Sequence, residues 1–281
     1  MKCEVCYRHC NLSEGKSGFC GVRTCQNGKI VPSNYGKITA AGLDPIEKKP
    51  LKNFMPGSMI FSVGSYGCNL RCPFCQNSDI SWGNEIKSFA GRTQIINPED
   101  IVSKAVSLKS QGNVGVAFTY NEPLIGYEFV RDTAKLCKKN DLVTVLVTNG
   151  TASDYVFEEV SPYIDAMNID IKSFNPSFYR NLINGDISMT KEFIDRSVKA
   201  CHVELTNLII PGLNDSDEEM AELAKWIHFL EIKAGKKIPL HITRFFPKFN
   251  MTDREATPIE TLHRLRDIAS KSLSMVYLGN V

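Results

Sequence analysis

Ser65-Tyr66-Gly67-Cys68-Asn69-Leu70-Arg71-Cys72-Pro73-Phe74-Cys75-Gln76-Asn77 is the segment on which the fold reading turns. It follows the apolar run from Met59 to Ser65, which reads as a buried strand, and it precedes a helix-like stretch. A strand–loop–helix joint is where βα barrels place their active sites. The spacing C-x3-C-x2-C gathers three thiolates in one loop, and thiolate sulfur is the preferred ligand of iron in iron–sulfur clusters. A cubane cluster takes one ligand per iron, so three cysteines leave one iron open to a substrate or cofactor, as a catalytic zinc keeps a free position. The competing readings are a structural zinc completed from elsewhere, or three unrelated buried thiols. No histidine between His9 and His202 offers a nearby fourth ligand.

Outward from this loop, short apolar runs alternate with longer amphipathic ones. Six strand candidates are Met59 to Ser65, Val114 to Thr119, Val143 to Thr148, Ala166 to Ile171, Val203 to Ile210 and Ile238 to Phe246. Helix-like segments lie between them: one opens at Asn97-Pro98-Glu99-Asp100, where Asn caps, Pro fits the first turn and acids favour the N-terminus. Tyr127 to Asn140, Lys191 to Ala200, Asp217 to Lys233 and Pro258 to Lys271 read similarly. Repeated β-then-α order implies an α/β protein with a parallel sheet and right-handed crossovers. Six units fall short of a complete eight-unit barrel, so the expected architecture is a partial (β/α)6 barrel with an open side. Buried parallel strands are normally apolar throughout. Here Asn168, Asp170 and Lys172 share one strand face, and His202, Glu204 and Thr206 another, which points to a site inside the barrel.

The 281 residues suffice for one large domain plus an appendage. Residues 1–55, glycine- and lysine-rich and without sustained periodicity, read as a cysteine-rich module and linker, with the barrel over 56–281. The balance of 33 basic and 31 acidic residues gives neither a nucleic-acid nor a polybasic membrane footprint, so a small-molecule or protein substrate is favoured. Without an apolar leader or a bilayer-length apolar run, the expected location is the cytoplasm. Ten cysteines there mean metal or catalysis, not a disulfide framework.

The cysteine loop resembles the signature of the radical S-adenosylmethionine (radical SAM) superfamily. Paired with the N-terminal C-x2-C-x3-C, the chain is similar over nearly its whole length to the radical enzyme of the AmmeMemoRadiSam system, itself similar to pyruvate formate-lyase activating enzymes. The resemblance implies a 4Fe-4S cluster on Cys68, Cys72 and Cys75, with S-adenosylmethionine chelating the fourth iron. It implies reductive cleavage to a 5′-deoxyadenosyl radical, an oxidoreductase-type activity, and an electron donor such as flavodoxin or ferredoxin. The substrate could be a protein, as in glycyl-radical activation, a small molecule, or RNA, against which the near-neutral charge speaks. A non-catalytic iron–sulfur or zinc protein retaining the fold is the reading from a different class.

Residue by residue, Thr119-Tyr120-Asn121-Glu122-Pro123 stands where the family carries Gly-Gly-Glu-Pro against the cofactor's amino group, placing Tyr120, Asn121 and Glu122 there. Thr148-Asn149-Gly150 is similar to the family's Thr-Asn-Gly turn. Asp170 and Lys172 match an Asp-x-Lys whose lysine approaches the cofactor carboxylate, and a carboxylate in an enclosed site wants such a partner. Ile210, with Phe74 opposite, resembles the adenine-packing pair, and His241 lies where activating enzymes place a histidine near the ribose. Two departures are Val147, where those enzymes often have a cation-binding Asp, and Thr206, where they have an Arg.

Cys3, Cys6, Cys10 and Cys20 could bind a second iron–sulfur cluster or a zinc ion, because so short and polar a module has little apolar core of its own. His9 is a further candidate ligand. Cys25 is unassigned, and Cys137 and Cys201 read as small buried hydrophobes. Members of the AmmeMemoRadiSam family usually continue past Leu278-Gly279-Asn280 into another cysteine pair, so the chain reads as a short or truncated relative.

Overall fold

The fold is given by a computed structural model, which describes residues 1–83, 86, 88 and 94–281. In chain order the elements are β1 (Arg23–Gln26), β2 (Lys29–Pro32), β3 (Ala40–Pro45), β4 (Met59–Gly64), α1 (Ser78–Ser81), α2 (Pro98–Ser107), β5 (Asn113–Phe118), α3 (Tyr127–Lys139), β6 (Val143–Thr148), α4 (Asp154–Val160), β7 (Ala166–Asp170), α5 (Ile187–Ala200), β8 (His202–Ile209), α6 (Asp217–Ala234), β9 (Leu240–Arg244), α7 (Ile259–Ala269) and β10 (Val276–Gly279). The local chemistry sets several boundaries. α2 starts at Pro98 because Asn97 precedes it, and the Asp100 carboxylate accepts from the Asn97 N–H at 3.2 Å. α6 is capped by Ser216, whose Oγ accepts from Glu219 N–H at 3.1 Å, and it stops at Gly235, which takes the left-handed conformation at φ 66°.

β4 to β10 form a parallel sheet in sequence order, and β3 adds an antiparallel strand beyond β4, from Ala40 opposite Gly64 to Pro45 opposite Met59. The six expected strands are all present; β3 and β10 extend the sheet to eight. Both extra strands are edges, where short, half-buried sequences ending in proline or glycine are tolerated. A separate hairpin, β1–β2, lies in the N-terminal region.

The sheet curls into a partial barrel. Its outer face contributes Val116, Phe118, Leu146, Met167, Leu205 and Leu240 to one large core with the helices, among them Val130, Ala134 and Cys137 of α3 and Phe193 and Ile194 of α5. Burying these faces supplies the main driving force, at roughly 25 cal/mol per Å² of apolar surface. The segment after β3 crosses inside the curl: Ile46 and Leu51 are fully buried against the inward Ile60, Ala117, Val145 and Ala166. The same segment reaches the far edge, where Asn53 Nδ2 meets the Tyr277 hydroxyl at 3.3 Å. Residues 46–53 thus plug the end of the barrel where the parallel strands begin, and the interior opens at their C-terminal ends.

This plug accounts for half of the polar stripes. Asn168 donates to Pro50 O at 2.9 Å and accepts from Thr206 at 2.9 Å. Glu204, with no exposed surface, accepts from Lys52 N (3.0 Å), Asn53 N (2.7 Å), His202 Nε2 (2.9 Å) and His241 Nε2 (2.6 Å). Burial opposes its charge, but the four donors outweigh that and bring its acidity to about 2. No helix among the described residues is long and apolar enough to cross a membrane.

Candidate active site

A cavity of about 630 Å³ occupies the open end of the barrel. The strands β5 to β10 line it at their C-terminal ends: Thr119 after β5, Thr148 of β6, Asp170 of β7, Leu208 of β8, Thr243 of β9 and Gly279 of β10. Cys68, Cys72, Phe74 and Cys75, on the loop after β4, form one side of it.

Backbone constraints hold that loop. Gly67 has φ 92°, a conformation costly for other residues. A Cβ there would stand 2.4 Å from Val22 Cγ2 and 2.8 Å from Cys20 O, so only glycine fits against the N-terminal region. Arg71 donates to Cys68 O and Leu70 O, both at 2.8 Å, and to Phe19 O. Its guanidinium lies 3.8 Å from the Phe19 ring centre. Asn121 ties the start of the loop, accepting from Ser65 N at 2.9 Å and donating to Gly67 O at 3.1 Å.

Glu122 is the polar hub. Its carboxylate accepts from Leu124 N (3.0 Å), Thr148 Oγ1 (2.7 Å) and Asn149 N (2.8 Å). Burial nevertheless pushes its acidity up to about 7 against the pull of those donors. Asn149 donates to Asn69 Oδ1 at 2.9 Å and approaches the Cys68 sulfur at 3.8 Å, so the end of β6 is wired to the cysteine loop. Lys172 Nζ pairs with Asp170 Oδ2 at 2.7 Å. Burial works against the ammonium, yet the Asp170 carboxylate and then the Cys72 sulfur hold it protonated above the ordinary lysine range. Burial drives Cys72 up to about 12, and it also carries Cys68 well above the usual thiol range. A metal must therefore displace protons from these thiols to bind.

Among the residues expected from sequence, Cys68, Cys72, Cys75, Phe74, Tyr120, Asn121, Glu122, Thr148, Asn149, Asp170, Lys172 and His241 all line this one cavity. Ile210 stands behind the wall, fully buried in an apolar cluster with Leu70, Phe74 and Phe178. His241 is committed to Glu204 at the plug end. Tyr120, at φ 73°, sends its hydroxyl to Asp44 at 2.9 Å. Val147 and Thr206, the two departures, also line the cavity. Sequence reasoning did not find Asn69, Tyr179 or Asn214. Tyr179 accepts from Lys172 N at 3.0 Å, and Asn214 donates to Lys172 O at 2.9 Å, so they fix the backbone of the lysine.

Cys3, Cys6, Cys10 and Cys20 surround a second, small cavity. Cys25 lies outside it, with its thiol 3.6 Å from Glu14, and His9 faces Glu4 at 3.0 Å. Among the described residues no three His, Cys, Asp or Glu side chains are set to hold a single metal ion.

Comparison with known proteins agrees with the geometry. The family model described as the radical SAM superfamily matches residues 62–227, which include the end of β4, the cysteine loop and β5 to β8. The chain belongs to the radical SAM superfamily. An uncharacterized protein of Methanocaldococcus jannaschii is 38% identical over 285 residues, taking in all of this chain and 81% of that protein. Pyruvate formate-lyase 1-activating enzyme of Escherichia coli K12 is 29% identical over 185 residues, 62% of this chain and 71% of that enzyme. A domain of pyruvate-formate lyase-activating enzyme from Bacteroides vulgatus superposes with TM-score 0.52 at 18% identity, over 59% of this chain and 99% of that one. Streptococcus suis SuiB gives TM-score 0.58 at 14% identity over 78% of this chain, which spans only 48% of SuiB. At these identities the two structures bear on the fold alone. The radical SAM family implies an iron–sulfur cluster and S-adenosylmethionine. The donor set fits both: three thiols share one wall of a cavity whose remaining wall carries a carboxylate, an amide and a lysine–aspartate pair.

Proposed function

We propose that this radical SAM protein is an activating-enzyme-like catalyst that binds a 4Fe-4S cluster on Cys68, Cys72 and Cys75 and starts hydrogen abstraction from a protein substrate. The observation that carries the reading is that these three cysteines face Glu122, Asn149, Asp170 and Lys172 across a single cavity. A bound cluster with S-adenosylmethionine supplies reductive cleavage of the cofactor and a 5′-deoxyadenosyl radical.

The chain's own residues do the positioning. Lys172, kept charged beside Asp170, offers an ammonium to the cofactor carboxylate. Glu122 and the adjoining Asn149 present acceptors to its amino group, and Glu122 is held in place by three donors. Phe74 offers an apolar face for adenine, with Ile210 packed behind it. The plug around Glu204 closes the far end of the barrel, so that substrate enters from the strand C-termini and water is excluded below. A protein substrate is supported by the activating-enzyme relatives, and a one-electron protein reductant such as flavodoxin or ferredoxin by the same kinship. All ten cysteines are free, which suits a reducing compartment, the cytoplasm.

The test is electron paramagnetic resonance on anaerobically reconstituted protein. The dithionite-reduced signal should change on adding S-adenosylmethionine and be absent from Cys72→Ala. A reduced cluster indifferent to the cofactor contradicts the reading. For the substrate, size-fractionated extract is added: stimulation of cofactor turnover confined to the macromolecular fraction is expected, and stimulation confined to the small-molecule filtrate contradicts a protein target.

A further inference from the structure

The four N-terminal cysteines lie on two short turns, one closed by Cys3 N–H donating to Cys10 O at 2.9 Å and the other by Gly21 N–H donating to Gly18 O at 2.9 Å beside Cys20. All four side chains reach one enclosed cavity, and the sulfurs of Cys3, Cys6 and Cys10 are each within electrostatic range of Cys20. We infer that Cys3, Cys6, Cys10 and Cys20 hold a second, fully cysteine-ligated 4Fe-4S cluster.

The size of the cavity separates this from a zinc site. The cavity leaves about 10 Å³ of free space beside the four thiols. Four sulfurs bonded to zinc at ~2.3 Å would leave no free space between them. Free space beside all four thiols suits a guest of several atoms, and four thiolates match the one-ligand-per-iron demand of a cubane.

The charge and hydrogen-bond surroundings point the same way. Four thiolates around a cubane leave a net anion, and Arg8 and Arg23 both line the cavity. Arg23 is 4% exposed; one of its terminal nitrogens pairs with Glu128 at 2.7 Å, while its buried Nε has no hydrogen-bond partner among the described residues. The Arg23 N–H also donates to the Cys20 sulfur at 3.4 Å, the kind of contact that tunes such clusters. Asn69 lines this cavity while its neighbour Cys68 lines the large one. The two sites are therefore one residue apart along the chain.

The decisive experiment counts iron, acid-labile sulfide and zinc on anaerobically reconstituted full-length protein, with Mössbauer spectra. Wild type should carry about eight irons per chain, four for each cluster. The Cys68→Ala/Cys72→Ala/Cys75→Ala variant should keep about four, with a signal that S-adenosylmethionine does not alter. Cys6→Ser should lose the N-terminal share and keep the cofactor-responsive signal. The inference is overturned if the triple variant retains no cluster while wild type holds a cofactor-responsive one, or if it retains one zinc and no iron. Loss of the cofactor response alone would strike only the assignment of the large site.

Discussion

Replacing Glu204 by Gln should loosen the plug that closes the barrel, and the size of the effect can be worked out. The carboxylate is fully buried and its acidity is lowered to about 2, against an ordinary value near 4.5. That difference is worth about 3.5 kcal/mol at neutral pH, at ~1.4 kcal/mol per pH unit. Because the folded value is depressed, the stabilisation is complete above about pH 5 and drains away as pH falls toward 2. Gln is nearly isosteric with the protonated acid but cannot accept from all four donors. The gap between wild type and Glu204→Gln should therefore be about 3.5 kcal/mol at pH 7, about 1.4 kcal/mol at pH 3, and close to nil well below pH 2. His202, His241 and the Lys52 and Asn53 amides are the groups that face it. Denaturant unfolding of the apoprotein measures the gap. Hydrogen exchange at Lys52 and Asn53 should quicken by roughly 100-fold at neutral pH. A gap below ~1 kcal/mol at pH 7, or one that does not shrink on acidification, would refute the claim that an ionised Glu204 holds the segment.

Leu51→Ala empties a fully buried position in the same plug and should cost about 2–5 kcal/mol, read as a lower denaturation midpoint. Gly67→Ala should impair iron uptake on reconstitution, since its Cβ would meet Val22 and the Cys20 carbonyl, whereas Gly57→Ala, at φ 80° with open space around it, should leave iron content unchanged. Lys172→Met removes a charge-assisted contact of about 1.5–3 kcal/mol, so the dissociation constant for S-adenosylmethionine on the reconstituted protein should rise roughly 10- to 150-fold. An unchanged constant by equilibrium dialysis would remove Lys172 from the cofactor site.

The parallel strands β4 to β9 were legible because each is a short apolar run with a helix after it, and their ends fall within two residues of expectation. β3 was not, because Ala40-Ala41-Gly42-Leu43-Asp44-Pro45 has neither alternation nor bulk; it is a strand only because β4 offers it a partner. The plug was hidden for a related reason. Lys48-Lys49-Pro50 reads as a solvated linker, yet Lys49 is buried against Asp44 at 2.9 Å and Leu51 fills the barrel. The polar stripe of β8 signalled an occupied interior, but periodicity could not tell whether a ligand or the chain itself occupies it; Glu204 shows the latter. The residues that line the cavity at strand C-termini were legible as motifs, while Tyr179 and Asn214, which hold the Lys172 backbone, leave no pattern.

The most direct test of the central claim is chromatographic detection of 5′-deoxyadenosine after incubating anaerobically reconstituted, dithionite-reduced protein with S-adenosylmethionine. Wild type should form it together with methionine, and Cys72→Ala should not. Wild-type protein that carries its cluster yet forms no more 5′-deoxyadenosine than Cys72→Ala would contradict the account.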